Sequence, residues 1–474
     1  MINYRIPWTR LAPALCAAAG AFGSAPCFAA DTAKLPKPQK LNYKERRLAN
    51  GLKVITLEDH AAPVVTLQVW YHVGSKDEAP GKAGFAHLFE HLMFKGSKNV
   101  PTEGHARYVE QVGGDYNANT FFDRTLYYET VPSNALERML FLEADRMSSL
   151  IVDESNMASE RDVVKEEHRL RVENAPYGRM FEQLQALVFP ASHPYAHTTI
   201  GIMADLDGAK LGDVRAFHDE YYTPDDATLV LVGDFKTDAA LAAIQRYFEP
   251  IPKSTKPFTR YPSPPVTQTQ ERRAVWYDKL APLPQIGAAF VGPPAKDPDT
   301  ATFEVISQIL SAGESSRLNR SLVRDKQLAV EASGGNFSLK LASIFFFFAL
   351  ANPGKSPADV EKAVLEQADL LRSEPVSAAE LVKAKNQVLK DKVFGSLSTE
   401  QKASLLGQAD LDYGDPSQAN KEIDEINKVT AEDVQRVARK YFAPERRNIF
   451  YTLPESMRAA GAAASGTAAK EAKP

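Results

Sequence analysis

A chain that repeats its own pattern at a fixed displacement is constrained to fold as two copies of one unit, and such a repeat is written into this one. Asp213-Val214-x-x-Phe217 leads to Tyr221-Tyr222-Thr223-Pro224 and the apolar run Ala227 to Val232. Displaced by 220 residues, Asp433-Val434-x-x-Val437 leads to Tyr441-Phe442-Ala443-Pro444 and the run Asn448 to Leu453. At the other end Ala62-Pro63 opens VVTLQVWYHVG, and 219 residues later Ala281-Pro282 opens LPQIGAAFVG. One Tyr-x-x-Pro turn recurs easily by chance; the shared displacement carries the duplication. Each copy starts with strands of period two, passes through helical stretches such as Asp153 to Val172 and Ser377 to Leu406, and returns to a strand. The expected fold class is α+β: two homologous α/β-layer domains with mostly antiparallel sheets and helices packed on one side. Pro252, Pro257, Pro262, Pro264 and Pro265 among Ser, Thr and Gln make 251–275 a linker between a first domain at 43–250 and its homologue at 276–456. The tail, 457–474, has almost no large apolar side chain and reads as disordered.

Arg5 and Arg10 precede an apolar run from Leu11 to Phe22, and Cys27 and Ala29 place small residues two positions apart. That is the pattern of a signal peptide at 1–29, with Ala30 as mature N-terminus and 30–42 as a spacer. A central apolar block with few Ser argues against a mitochondrial transit peptide. The expectation is export to a periplasm, with secretion beyond it the weaker alternative. Both cysteines, Cys16 and Cys27, fall in this leader, so the mature chain is expected to hold no thiol and no disulfide. No later stretch approaches the ~18 apolar residues of a membrane span, and Ile344 to Ala351 has strand length. A net charge of −4 gives no surplus to neutralise a phosphate backbone, so nucleic acid is not expected as a partner.

Gly84 to Phe94 (GFAHLFEHLMF) contains helix formers and no interior breaker. On a helix His87 and His91 share a face, and Glu90 points near the same place. This HxxEH is a known zinc-peptidase pattern, although five residues can also fall this way on an amphipathic helix by accident. A hydrolytic zinc site needs three protein ligands and an open position. The acidic run Glu160 to His168 supplies the third: Glu160 and Glu167 lie two turns apart on one face, while Glu166 is rotated by about a hundred degrees. Glu167 is expected as the ligand, and Glu160 as a carboxylate orienting a ligand histidine from behind. By itself such a run reads as a solvated charged face.

With these residues in place the chain resembles the pitrilysin/insulinase zinc metallopeptidases, in particular the short bacterial branch like the mitochondrial processing peptidase. The resemblance runs from about Tyr43 to Leu453. It covers the HLFEH helix, the ERDVVKEE helix and the separation of 76 residues between His91 and Glu167. It also covers Gly113-Gly114-x-x-Asn117-Ala118-Asn119-Thr120, His193-Pro194-Tyr195 ahead of Gly201, and Ser315-Ser316-Arg317-Leu318. It implies half of a clam-shell chamber, built from four homologous domains of two chains. It further implies one Zn2+ per chain on His87, His91 and Glu167, Glu90 as general base, and cleavage of peptides or unfolded segments. Asn117, Ala118, Asn119 and Thr120 match the edge that pairs with an extended substrate backbone. At the displaced HxxEH position the second half reads Ile306 to Leu310 (ISQIL), with no ligand pair, so it is expected to be non-catalytic. In related enzymes this half carries an Arg and a Tyr that steady the substrate or the oxyanion. Here Arg324 is kept, while Val330 stands where the Tyr would be. Valine has no hydroxyl, so another residue, or a homologous chain in a hetero- or homodimer, must supply the pair. The rival reading is a non-catalytic peptide-binding or scaffold subunit, which would be expected to have lost a ligand or the base; all four are present. A general peptide scavenger and an enzyme dedicated to one precursor, such as a cofactor peptide, fit the sequence equally. Among other residues, His168 is expected to be structural or exposed, and His193 and His197 to serve a turn. His60, His72, His105 and His218 receive no role, and Phe345 to Phe348 form a buried strand.

Overall fold

The computed structural model describes residues 39–458; the expected leader, most of the spacer and nearly all of the tail lie outside them. The first sheet contains β1 (Lys44–Arg47), β2 (Lys53–Glu58), β3 (Val64–Tyr71), β4 (Asp115–Thr120), β5 (Thr125–Pro132) and β6 (Ala227–Gly233), in the order β1-β2-β6-β3-β5-β4. The second contains β7 (Arg272–Asp278), β8 (Gln285–Gly292), β9 (Ala329–Phe337), β10 (Ser343–Ala351) and β11 (Asn448–Pro454), in the order β7-β11-β8-β10-β9. Without β1 the two orders are the same, so the duplication is a duplication of topology. In each sheet one pair is parallel, β2 with β6 and β7 with β11, and the others are antiparallel. The repeat therefore opens one strand earlier than Ala62-Pro63 and Ala281-Pro282 suggested. β7 begins at Arg272, inside the stretch expected to be linker, because a half-buried edge strand shows little hydrophobic signal. Ser377 to Leu406 also differs from one continuous helix. It breaks after Ala378–Phe394 at Gly395, and Ser398 and Gln401 form a capping box that starts a new helix.

Six helices build the candidate site and the packing between the two halves: α1 (Phe85–Leu92), α2 (Leu136–Ser149), α3 (Glu154–His168), α4 (Met180–Val188), α5 (Thr300–Ser311) and α6 (Thr399–Tyr413). On one face of the first sheet Val65, Leu67, Leu229 and Leu231 join Phe89 of α1 and Leu140 of α2 in one core. On one face of the second sheet Phe345 and Phe347 meet Phe303 and Ile306 of α5.

The sheets are covered on their other faces as well. Ile55, Trp70, Val230 and Val232 pack against Ala403, Leu406 and Leu411 of α6, a helix from the second half. Ala289, Ile344 and Phe450 pack against Met180, Leu184 and Val188 of α4, a helix from the first half. Each half thus lends a helix to the other's sheet, a layer that the expectation of helices on one side left out. The signal was the run ATLVLVG of β6, buried at every residue, as a strand must be when both faces are covered. Polar groups tie this seam. Lys53 Nζ lies 2.5 Å from Asp410 Oδ1, both buried, and Thr228 Oγ1 donates to Asp410 Oδ2 at 2.7 Å. Elsewhere Asp123 accepts from Tyr195 Oη at 2.7 Å and from the Lys340 amide at 3.0 Å, joining the halves a second time.

Candidate metal centre

α1 starts where Gly84, at φ +103°, turns the chain out of the preceding loop, a conformation that favours glycine. The buried Glu78 carboxylate accepts from the Gly84 and Ala86 amides, both at 2.8 Å, satisfying two donors the helix leaves free. Sequence reasoning missed Glu78, because its cap acts across six and eight residues rather than the usual two or three. At the far end of the helix Tyr127 Oη donates to the Phe89 carbonyl at 2.8 Å. α3 is started by Asp153, whose side chain accepts from the Asn156 amide at 2.8 Å, and it turns Glu160 and Val164 inward toward α1.

The two helices bring the three expected ligands together. Glu167 Oε2 lies 3.5 Å from His87 Nε2 and 3.4 Å from His91 Nε2, and the donor atoms of all three lie within 4.8 Å of one another. Zinc holds nitrogen and oxygen ligands at about 2.0–2.1 Å, so two donors at tetrahedral vertices stand about 3.3–3.4 Å apart. The observed separations match that spacing, and two imidazoles with one carboxylate are the donor set of a three-ligand hydrolytic site. Behind them Glu160 reaches His91 Nδ1 at 3.5 Å and Lys95 Nζ at 2.9 Å, which leaves His91 Nε2 for the common point. Glu90 is half-buried, and no hydrogen bond or ion pair among the described residues occupies its carboxylate.

The electrostatics favour a cation. Burial works to raise Glu167, but the neighbouring His91, His87 and Arg171 hold its carboxyl down at about 2. Burial works to lower His91, yet Glu160, Glu167 and Glu90 push it up to about 9. His87, facing fewer acceptors, is lowered by burial. Carboxylates are thus gathered around the two imidazoles, and the positive charge they favour can sit as a proton on His91 or as a cation in its place.

β4, which carries Asn117, Ala118, Asn119 and Thr120, is an edge strand that among the described residues pairs only with β5. Thr120 Oγ1 donates to the Ala86 carbonyl at 3.4 Å, so this edge reaches α1 beside His87. Arg324 stands apart: it is exposed in Asn319–Asp325, its guanidinium pairs with Glu314, and no contact among the described residues joins it to the three clustered side chains. Val330 is a partly exposed residue near the start of β9. Ile306 to Leu310 fall on α5, the counterpart of α1, with apolar residues at the histidine positions.

His168 is buried and meets Glu182 at 3.1 Å, away from the cluster. His193 stacks on Phe189 at 4.4 Å and accepts from the Tyr195 amide, a turn contact. A second buried trio, His105, Glu129 and Glu143, has donors equally close. Both Glu143 oxygens are taken by Arg146, and burial beside Glu143 raises Glu129 well above the carboxylate range, so this trio is neutralised by a guanidinium and a proton.

Comparison with known proteins agrees with this geometry. Residues 53–198 match the family described as insulinase (peptidase family M16), and residues 209–388 match the peptidase M16 inactive domain. The zinc protease PqqE of Helicobacter pylori is 30% identical over 426 residues, spanning 89% of this chain and 94% of that protein. A crystal structure of a protease from Helicobacter pylori superposes with a TM-score of 0.83 at 29% identity, covering 88% of this chain and 100% of that one. The Arabidopsis thaliana protein named "Probable mitochondrial-processing peptidase subunit beta, mitochondrial" is 25% identical, over 83% of this chain and 75% of that protein. The chain belongs to the insulinase family, peptidase family M16.

Proposed function

We propose that this M16-family chain is an exported zinc-dependent endopeptidase in which His87, His91 and Glu167 hold one Zn2+ and Glu90 is the general base. The observation that carries the reading is the convergence of His87 Nε2, His91 Nε2 and Glu167 Oε2 at 3.4–3.5 Å. Bound there, zinc supplies a Lewis acid that polarises the scissile carbonyl and makes water acidic near neutral pH. Glu90 takes the water proton and returns it to the leaving amine. The open edge of β4 aligns an extended peptide by strand addition, so the substrate is a flexible or unfolded segment. The match to an inactive domain falls on 209–388, outside the clustered side chains, which favours catalysis over the scaffold reading. Since Val330 stands where a tyrosine would be beside Arg324, the Arg/Tyr pair is supplied by a homologous chain in a hetero- or homodimer. The leader at 1–29 sends the chain to the periplasm.

The test is purification of the mature chain, zinc analysis, and a peptide-cleavage assay alone and with a homologous chain. Near one zinc per chain is expected, lost in His91→Ala and kept in Glu90→Gln, while Glu90→Gln lowers kcat by about 10²–10⁴-fold. Cleavage by Glu90→Gln at the wild-type rate would overturn the assignment of the base.

A further inference from the structure

The two oxygens of Glu167 face different partners. Oε2 faces His87 and His91, while Oε1 takes the guanidinium of Arg171 at 2.5 Å. Arg171 lies one helical turn beyond Glu167, on the face shared by Glu160 and Glu167, in a π-type extension of α3 that runs from Arg169 to Glu173. The neighbouring pair points elsewhere: Arg169 binds Glu166, and both are exposed. The chain therefore places two Glu-Arg pairs on adjacent faces, and only one of them touches the clustered imidazoles.

We propose that Arg171 is a positioning residue for the metal centre, which fixes Glu167 so that Oε2 alone is offered to the ion; this rests on the reading of Glu167 as a ligand. A carboxylate with both oxygens free can rotate, bind through two oxygens, or swing away. Holding Oε1 removes those alternatives and keeps the remaining coordination position open for solvent and substrate. Two effects oppose each other when Arg171 is removed. Loss of a nearby positive charge favours cation binding, while loss of orientation weakens it. Arg171 is 57% exposed, so its charge is largely screened, whereas partners that orient a ligand contribute 10–100-fold to metal affinity. Orientation is the larger effect.

Zinc affinity is measured on the full mature chain by competition with a chromophoric chelator, with Co2+ absorption as a second readout. Arg171→Met is expected to weaken zinc at least tenfold and to change the Co2+ spectrum. Arg171→Lys, which keeps the charge but not the fork, recovers only part of the loss. Arg169→Met leaves affinity unchanged, and Arg171→Met adds nothing in a Glu167→Ala background. Zinc bound by Arg171→Met as tightly as by wild type, or more tightly, would overturn the proposal. If wild type and Glu167→Ala bind zinc equally, the reading of Glu167 as a ligand fails instead. As Arg171 is at the surface, far-UV circular dichroism of the variants should match wild type.

Discussion

Gly407 gives the strictest test of how the halves fit together. It lies on α6 against the first sheet, and a methyl group there would come 2.2 Å from Trp70 Cε2, 2.4 Å from Nε1 and 2.6 Å from Cζ2. Trp70 has no room to yield: it is 1% exposed, its Nε1 donates to Gln68 Oε1 at 2.9 Å, and Arg124 lies 4.8 Å over its ring. Gly407→Ala gains about 1 kcal/mol of helix propensity and suffers an overpacking cost of about 1–3 kcal/mol, at the upper end because the obstacle is a rigid ring. The net expectation is a loss of about 1–2 kcal/mol, read as a lower melting temperature. Gly212→Ala is the control, since its added carbon meets nothing within 4 Å, and it should stabilise by about 0.4–1 kcal/mol. In a Trp70→Leu background the cost of Gly407→Ala should vanish, a coupling read from the double-mutant cycle. A Gly407→Ala chain that melts at or above wild type, with Gly212→Ala behaving as expected, would refute the tight contact between α6 and β3.

Asp410→Ala leaves the buried Lys53 ammonium with the half-exposed Glu45 at 3.2 Å and the Gly414 carbonyl at 3.5 Å, and should cost about 3–5 kcal/mol in urea unfolding, largely recovered by adding Lys53→Met. Glu78→Ala removes the cap on α1 and should lower stability by about 0.5–2 kcal/mol, with a parallel loss of zinc affinity by chelator competition. His72 and His193 are both pushed down to about 4 by burial. An unfolded histidine binds its proton near 6.5, so between about 4 and 6.5 the unfolded chain holds more protons and stability must fall as pH falls. Melting curves over that range should show the slope, and His72→Asn, which can still meet Thr228, should reduce it.

Short-range geometry made part of the site legible in the sequence. The i, i+4 spacing puts His87 and His91 on one face whatever the tertiary fold, and the seven-residue spacing does the same for Glu160 and Glu167. The shared displacement of Tyr221-x-x-Pro224 and Tyr441-x-x-Pro444 likewise required two copies of one sheet, which the strand orders display. Long-range pairing was hidden. Trp70 and Gly407 touch across more than three hundred residues, and an apolar helix face does not say which sheet it will cover. β7 went unread because its alternation is weak on an exposed edge. Arg171 went unremarked because arginines in an acidic helix ordinarily make surface pairs, as Arg169 does with Glu166.

The exchange of α4 and α6 ties the fate of the two sheets to each other. A protease nick in the proline-rich connector should leave both pieces clasped in one particle that elutes like the intact chain. Either piece made alone would present a bare, greasy plane to water and should self-associate or precipitate, so neither half is a domain that can be borrowed by itself.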